Sequence, residues 1–277
     1  MTTASDIPVR RMDFTFPDDM DLVFIEGNPR TSFFFLGSWM MLPYLEPFLI
    51  RTMQAALPKI SDPTLAEELR RFCMQEGQHF RQHAKANAVV KRVHPSGPRL
   101  AALEREVEAL FARWSETKPL RFCLAYAEGF ESMTSAGART QIELDVFREM
   151  KEPIRSLMLW HIMEELEHRT VAFEVYENVV GSYLYRLVVG LWAQMHYLGL
   201  CRKFTRAMVE ADPETVARHD GPDARRLRRQ AGWTYLKMAL PRQLATYLPW
   251  YNPRKLPMPE RFEAVRRSFS DAAASVQ

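Results

Sequence analysis

Apolar residues recur at intervals of three and four along most of this chain, in runs separated by proline, glycine and asparagine, and almost nowhere in the alternation that marks strands. The first run covers 31–57 and holds Pro43 and Pro47, so a kink is expected near Glu46. The second, 63–93, opens on Ser61-Asp62-Pro63, a capping residue followed by proline in the first turn, and stops before His94-Pro95. Further runs cover 100–114, 119–149 and 153–180, the last halted by Gly181, and another apolar helix is expected to about 210. Residues 1–28 read as an irregular lead-in whose only strand-like fragment is Phe14-Thr15-Phe16. The pattern predicts an all-α protein.

Two of these helices carry the same chemical spacing. Glu76 and His79, and again Glu165 and His168, form Glu-x-x-His, which places carboxylate and imidazole on one helical face. Glu46 lies 30 residues before Glu76, and Glu128 lies 37 residues before Glu165, each on its own apolar helix. Two helix pairs, each setting one Glu opposite one Glu-x-x-His, supply the four carboxylates and two imidazoles of a binuclear site in a ferritin-like bundle. The expected ligands are therefore Glu46, Glu76, His79, Glu128, Glu165 and His168, with Glu76 and Glu165 as bridging candidates. Oxygen and imidazole donors suit two iron ions, or manganese, or a mixed pair. His83, His161, Glu131 and Glu164 are candidates for auxiliary ligands or outer hydrogen-bond partners, and Glu131, one turn beyond Glu128, is the alternative to it. The expected organisation is a lead-in over 1–28, a metal-binding bundle over 29–210, and a C-terminal helical extension over 211–277 packed on the bundle.

Composition narrows the partners. Hydrophobic residues make up 47% of the 277, enough for a sizeable core. Lys and Arg (37) nearly balance Asp and Glu (34), and a net charge of +3 gives no case for nucleic acid. Cys73, Cys123 and Cys201 are odd in number and form no CxxC pair, so reduced core thiols and a cytoplasmic location are expected. The N-terminal stretch lacks the apolar core of a secretory signal, and the 183–200 run is too short and polar to span a bilayer. No GxSxG, Walker loop or GxGxxG occurs. Tyr44, Tyr126, Trp39 and Trp160 flank the proposed ligands and read as core aromatics. The stretch 233–251 mixes tryptophan, tyrosine, leucine and basic groups below the cluster Arg225, Arg226, Arg228 and Arg229; it is expected to cap the bundle, with peripheral membrane contact as the alternative.

The segments Arg10-Arg11-Met12-Asp13-Phe14, Leu42-Pro43-Tyr44-Leu45-Glu46, Gln75-Glu76-Gly77-Gln78-His79 with His83 and Asn87, and Trp160 through His168 resemble a bacterial family described as predicted metal-dependent hydrolases. The order of motifs is also similar to that of di-iron N-oxygenases. The chain departs from the pattern at Gly129, where a histidine is expected, and at Asn252-Pro253, where His-Pro is expected. The first functional expectation is a di-iron oxidase or oxygenase that uses O2 and an electron donor, a reductase or ferredoxin, on an apolar or aromatic small molecule. An apolar pocket near the site is expected from Phe33, Phe34, Phe35, Leu36, Met40, Met41, Leu42, Phe130 and Met133. The alternative, which the family resemblance implies, is a binuclear hydrolase of an ester or amide. A third reading is a non-catalytic metal-binding helical protein that forms homo-oligomers.

Overall fold

A computed structural model describes residues 7–274, so the first six residues of the expected lead-in and the last three of the C-terminal extension lie outside the described residues. The described chain is a bundle of α-helices with no β-strand. The helices are α1 (Pro29–Trp39), α2 (Leu42–Ala56), α3 (Pro63–Val93), α4 (Gly97–Thr117), α5 (Leu120–Leu144), α6 (Ile154–Glu167), α7 (Val171–Val179), α8 (Tyr183–Ala211), α9 (Pro213–Arg218), α10 (Pro222–Ala245) and α11 (Phe262–Ala274).

Helix α3 shows how local sequence places the site. Asp62 Oδ1 accepts from the Thr64 amide, Pro63 occupies the first turn where its missing N–H costs nothing, and Lys91 and Arg92 sit in the last turn against the helix dipole. Its buried seam runs Leu65, Leu69, Phe72, Glu76, His79, His83, Ala86 and Val90, alternating steps of four and three. The motif residues thus occupy core positions between leucine and valine layers. Glu46 does the same on α2, in the seam Leu42, Glu46, Leu49, Met53 and Ala56. Helices α2 and α3 pack together, α5 packs on α6 and α2, and α8 lies along both α1 and α5.

Two expected single helices are divided. The 31–57 run breaks at Met40-Met41, because Pro43 belongs to the first turn of α2 and cannot continue a helix that precedes it. Pro47 is accommodated one turn later inside α2. The 153–180 run is interrupted after Glu167, and α7 starts at Val171. Phe14-Thr15-Phe16 pairs with no strand; the Phe14 amide donates to Gln82 Oε1 and Gln82 Nε2 donates to the Met12 carbonyl, so the segment lies across α3. The lead-in forms one isolated bridge, Ile25 to Met150. By length and hydropathy Pro29–Lys59 passes the test for a bilayer-crossing helix, yet 61% of its apolar window is buried, as in core helices.

Helix α10 packs along α5, but none of its residues is buried. Trp233, Leu236, Leu240 and Leu244 on it are each at least 43% exposed, and α8 exposes Leu184, Val188, Leu191, Trp192 and Met195.

Candidate metal centre

Four helices converge on one buried cluster. Helix α2 gives Glu46, α3 gives Glu76, His79 and His83, α5 gives Glu131, and α6 gives His161 and Glu165 with His168 just past its end. None of these eight is more than 6% exposed. His79 Nδ1 lies 3.7 Å from Glu76 Oε1 and 3.9 Å from Glu165 Oε1. His168 Nε2 lies 3.3 Å from Glu76 Oε1 and 3.4 Å from both Glu131 Oε2 and Glu165 Oε2. Glu76 and Glu165 each therefore face both motif imidazoles. Four overlapping groups have ligand atoms within 4.8 Å of one another: Glu46/Glu76/His79, Glu76/Glu131/His168, His79/His161/Glu165 and Glu46/His83/His161.

Eight donor atoms of the cluster have no hydrogen-bond partner. They are both oxygens of Glu46, Glu76 Oε1, His79 Nδ1, His83 Nδ1, Glu131 Oε1, Glu165 Oε2 and His168 Nε2. Orphaned polar atoms in a core each cost on the order of 1–3 kcal/mol, so a concentration of them at one point fits cations coordinated there. Carboxylate and imidazole without thiolate is a donor set for iron or manganese.

The outward atoms, by contrast, are held. His79 Nε2 donates to Glu164 Oε2 at 3.1 Å, which leaves the Nδ1 lone pair facing the cluster. His168 Nδ1 donates to Gln75 Oε1 at 3.0 Å, which leaves Nε2 facing inward. The Gln75 amide cannot be turned around, since its Nε2 donates to the Pro8 carbonyl and to Glu167 Oε2. Each motif histidine is thus oriented by the residue that precedes the glutamate of the other motif. Arg10 binds this layer together, donating to Glu164 at 2.9 Å and to both oxygens of Glu167 at 2.8 Å. Sequence reasoning assigns no role to Arg10, Gln75 or Glu167, although all three lie in the segments that carry the family resemblance. The parallel between Gln75-Glu76 and Glu164-Glu165 is the signal that points to the first pair of partners.

The cluster's electrostatics are those of carboxylates crowded without cations. Burial, reinforced by Glu76, holds the Glu46 carboxyl well above the usual carboxylate range. Burial and the neighbouring Glu165 push Glu131 up to about 8. Glu165 goes the other way: against its own burial, His168 and His161 hold it well below the usual value. His79 is raised despite burial by Glu164 and Glu76, and His168 despite burial by Glu165 and Glu131. Burial and adjacent imidazoles depress His83 and His161, whose rings meet through His83 Nε2 and His161 Nδ1 at 3.0 Å.

Glu128, expected as a ligand, does not join the cluster. Its Oε1 takes 3.0 Å and 2.7 Å hydrogen bonds from Arg186 Nη1 and Ser132 Oγ, facing α8. Glu131, the alternative one turn on, faces His168 instead. The reason lies in helix packing: a Cβ on Gly129 would stand 2.3 Å from the Gly190 Cα, so α5 and α8 cross almost backbone to backbone at this point. Gly129, where the family pattern leads one to expect histidine, is what permits that crossing. Arg186 also donates to the Thr246 carbonyl, so the Glu128 pair fastens the end of α10 to the bundle.

Among the aromatics, Trp160 stands edge-on to His79 with ring centroids 4.9 Å apart, and Trp39 to His83 at 5.6 Å. Tyr126 belongs elsewhere, to an aromatic group with Phe48, Phe111, Trp114 and His196. Phe33, Leu36, Met40, Met41 and Leu42 are core residues, while Phe34 is 44% exposed. The three cysteines are free, and burial raises all three thiols.

An all-α bundle with a buried carboxylate and imidazole cluster, built from four helices, is the scaffold of a metal-binding protein. The chain matches the family described as predicted metal-dependent hydrolase over residues 8–256 and belongs to it. No curated protein and no solved structure matches it.

Proposed function

We propose that the cluster is a binuclear metal centre and that the protein hydrolyses a small apolar ester or amide. The observation that carries the metal centre is the convergence of orphaned donor atoms from four helices; the reaction class follows the family's description. Glu46, Glu76 and His79 would hold one ion and Glu131, Glu165 and His168 the other, with Glu76 and Glu165 shared. Two such ions, when bound, supply Lewis acidity toward a carbonyl.

The chain's own residues do the rest. Glu164 and Gln75 fix the tautomers of His79 and His168, so both present lone pairs inward. Trp160 and Trp39 close the site against bulk water, which strengthens every charge interaction inside. His161 Nε2, 3.2 Å from Glu165 Oε1, donates to that ionised carboxylate, which leaves Nδ1 to accept from His83 Nε2 at 3.0 Å and makes the two imidazoles a hydrogen-bonded chain ending at Glu165.

A second reading is favoured by the burial of the cluster: oxidation of an apolar or aromatic substrate with O2 and an electron donor, for which a closed site that admits a small apolar gas is an advantage. Protein loaded with Fe(II) or Mn(II) without oxygen, then offered apolar esters and amides, separates the readings. Anaerobic turnover abolished by chelation supports hydrolysis. Product that forms only with O2 and reductant supports oxidation instead, and bound metal with neither activity supports a non-catalytic role.

A further inference from the structure

Arg169 directly follows His168 and lines a cavity of about 210 Å³, together with Ser135, Leu166, Tyr251, Met258 and two further arginines, Arg139 and Arg242. Ser135 lies one turn past Glu131 on α5, and Leu166 lies between Glu165 and His168, so the cavity abuts the helical segments that carry one half of the candidate centre. Its walls are largely aliphatic and proline-rich, and the segment 253–259 forms one side of it.

The three guanidiniums are not equivalent. Arg139 and Arg242 share Glu143, the first at 3.4 Å, and Arg242 also donates to Thr140 Oγ1 at 3.0 Å. Arg169 has no carboxylate among the described residues. It donates Nη1 to the Leu166 carbonyl at 3.0 Å, and its Nε is buried without a partner. Nearby Arg254 is already taken by Glu68 and Glu174.

We propose that this cavity is a carboxylate-binding subsite that seats the charged end of a small apolar monocarboxylic acid on Arg169. A planar guanidinium fork with free donors matches a carboxylate, a single unpaired cation calls for a monoanion, and the aliphatic walls take a short hydrocarbon body. At about 210 Å³ the space falls below that of drug-sized ligand sites, so the acid is small or only one end of it enters. The assignment deepens the proposed function by giving its substrate a free carboxylate, and that extension rests on the catalytic reading; the binding site itself does not.

Calorimetric titration of metal-free protein with hexanoate, hexanamide and hexyl phosphate tests the subsite without activity. Hexanoate should bind about tenfold or more tightly than hexanamide, as a charge-assisted pair requires, and R169Q should abolish the difference while R169K keeps part of it. Should R169Q fail to fold, A136L, at the wall residue next to Ser135, which fills the cavity while leaving the guanidinium, should weaken hexanoate binding. Equal binding of hexanoate and hexanamide, an unchanged preference in R169Q, or undiminished hexanoate affinity in A136L overturns the proposal, and tighter binding of hexyl phosphate overturns the choice of carboxylate. Hexanoate binding that passes this test in a protein with no turnover leaves the subsite standing and removes only the catalytic reading.

Discussion

Glu128 and Glu131 stand one turn apart in the same buried seam of α5, and replacing each with glutamine should have opposite consequences. Glu128→Gln keeps the volume but removes the buried carboxylate paired with Arg186, whose side chain is 5% exposed, and leaves it only the exposed Glu177 at 3.9 Å among the described residues. Breaking a buried ion pair from one side costs about 3–5 kcal/mol. The lower end applies, because Arg186 keeps the Thr246 carbonyl and the rings of Phe173, Tyr183 and Tyr251, with centroids 5.2 to 5.8 Å from its guanidinium. For a chain of this size about 3 kcal/mol corresponds to a fall in melting temperature of roughly 6–12 °C. Metal content should stay at two ions per chain.

Glu131→Gln removes a carboxyl that burial and Glu165 already hold up to about 8, so the metal-free protein should melt within about 1 kcal/mol of wild type. One of its two ions should be lost, since Glu131 and His168 face the same point. Thermal melts of metal-free protein and elemental analysis after reconstitution check both halves. Loss of metal from E128Q with unchanged melting, together with full metal in E131Q, would refute the placement of these two side chains.

Three further outcomes follow from the same geometry. Replacing Gln75 with leucine or Glu164 with glutamine should weaken metal binding about 10- to 100-fold in competition with a chelator, because each fixes the tautomer of a motif histidine; unaltered affinity would remove that role. Glu131 in the metal-free fold keeps its proton up to about 8, against a usual 4.5, so metal affinity should drop about tenfold per pH unit below 8 and binding should release protons. The sign for stability is the reverse: the group favours the metal-free fold below the usual carboxylate range and loses that contribution as pH rises from 4.5 to about 8, which titration calorimetry and melts across this range would check. Finally, 183–209 and 224–259 contain no Asp or Glu, and the exposed faces of α8 and α10 lie within them; the protein should co-sediment with anionic vesicles and not with neutral ones, and replacing Trp233, Leu236 and Leu240 with serine should abolish this.

Much of the site was legible because it obeys the helix period. Glu46, Glu76 and His79 replace leucine or valine at core positions, so a pattern that predicts burial also predicts that carboxylates and imidazoles meet. The bounds of α3 could be read from Asp62-Pro63 and His94-Pro95. What decides between Glu128 and Glu131 could not: both fit the seam, and the choice depends on Arg186 and Gly190, some 60 residues later, pressing against one side of α5. The contacts of Arg10 were illegible for a different reason. Arg10 sits in an irregular segment with no period, and its importance comes from two glutamates more than 150 residues away.

The buried acids, taken together, make the strongest case for cations. Glu68 pairs with Arg254, Glu104 with Lys91, Glu128 with Arg186, Glu164 with Arg10, and Glu167 with Arg10 and Arg266. Elsewhere, then, this chain buries a carboxylate beside a lysine or arginine. Glu46, Glu76, Glu131 and Glu165 have neither among the described residues, only histidines, two of which burial keeps from carrying charge. Four ionised carboxylates at one point in a low-dielectric core repel one another too strongly to persist uncompensated, and the protonation shifts at Glu46, Glu131, His79 and His168 show the metal-free protein relieving that repulsion with protons. Two divalent ions would neutralise the four negative charges and leave His79 and His168 neutral and coordinating. The pairing rule that the rest of the core obeys is thereby restored at its centre, with the metals in the place of the missing arginines.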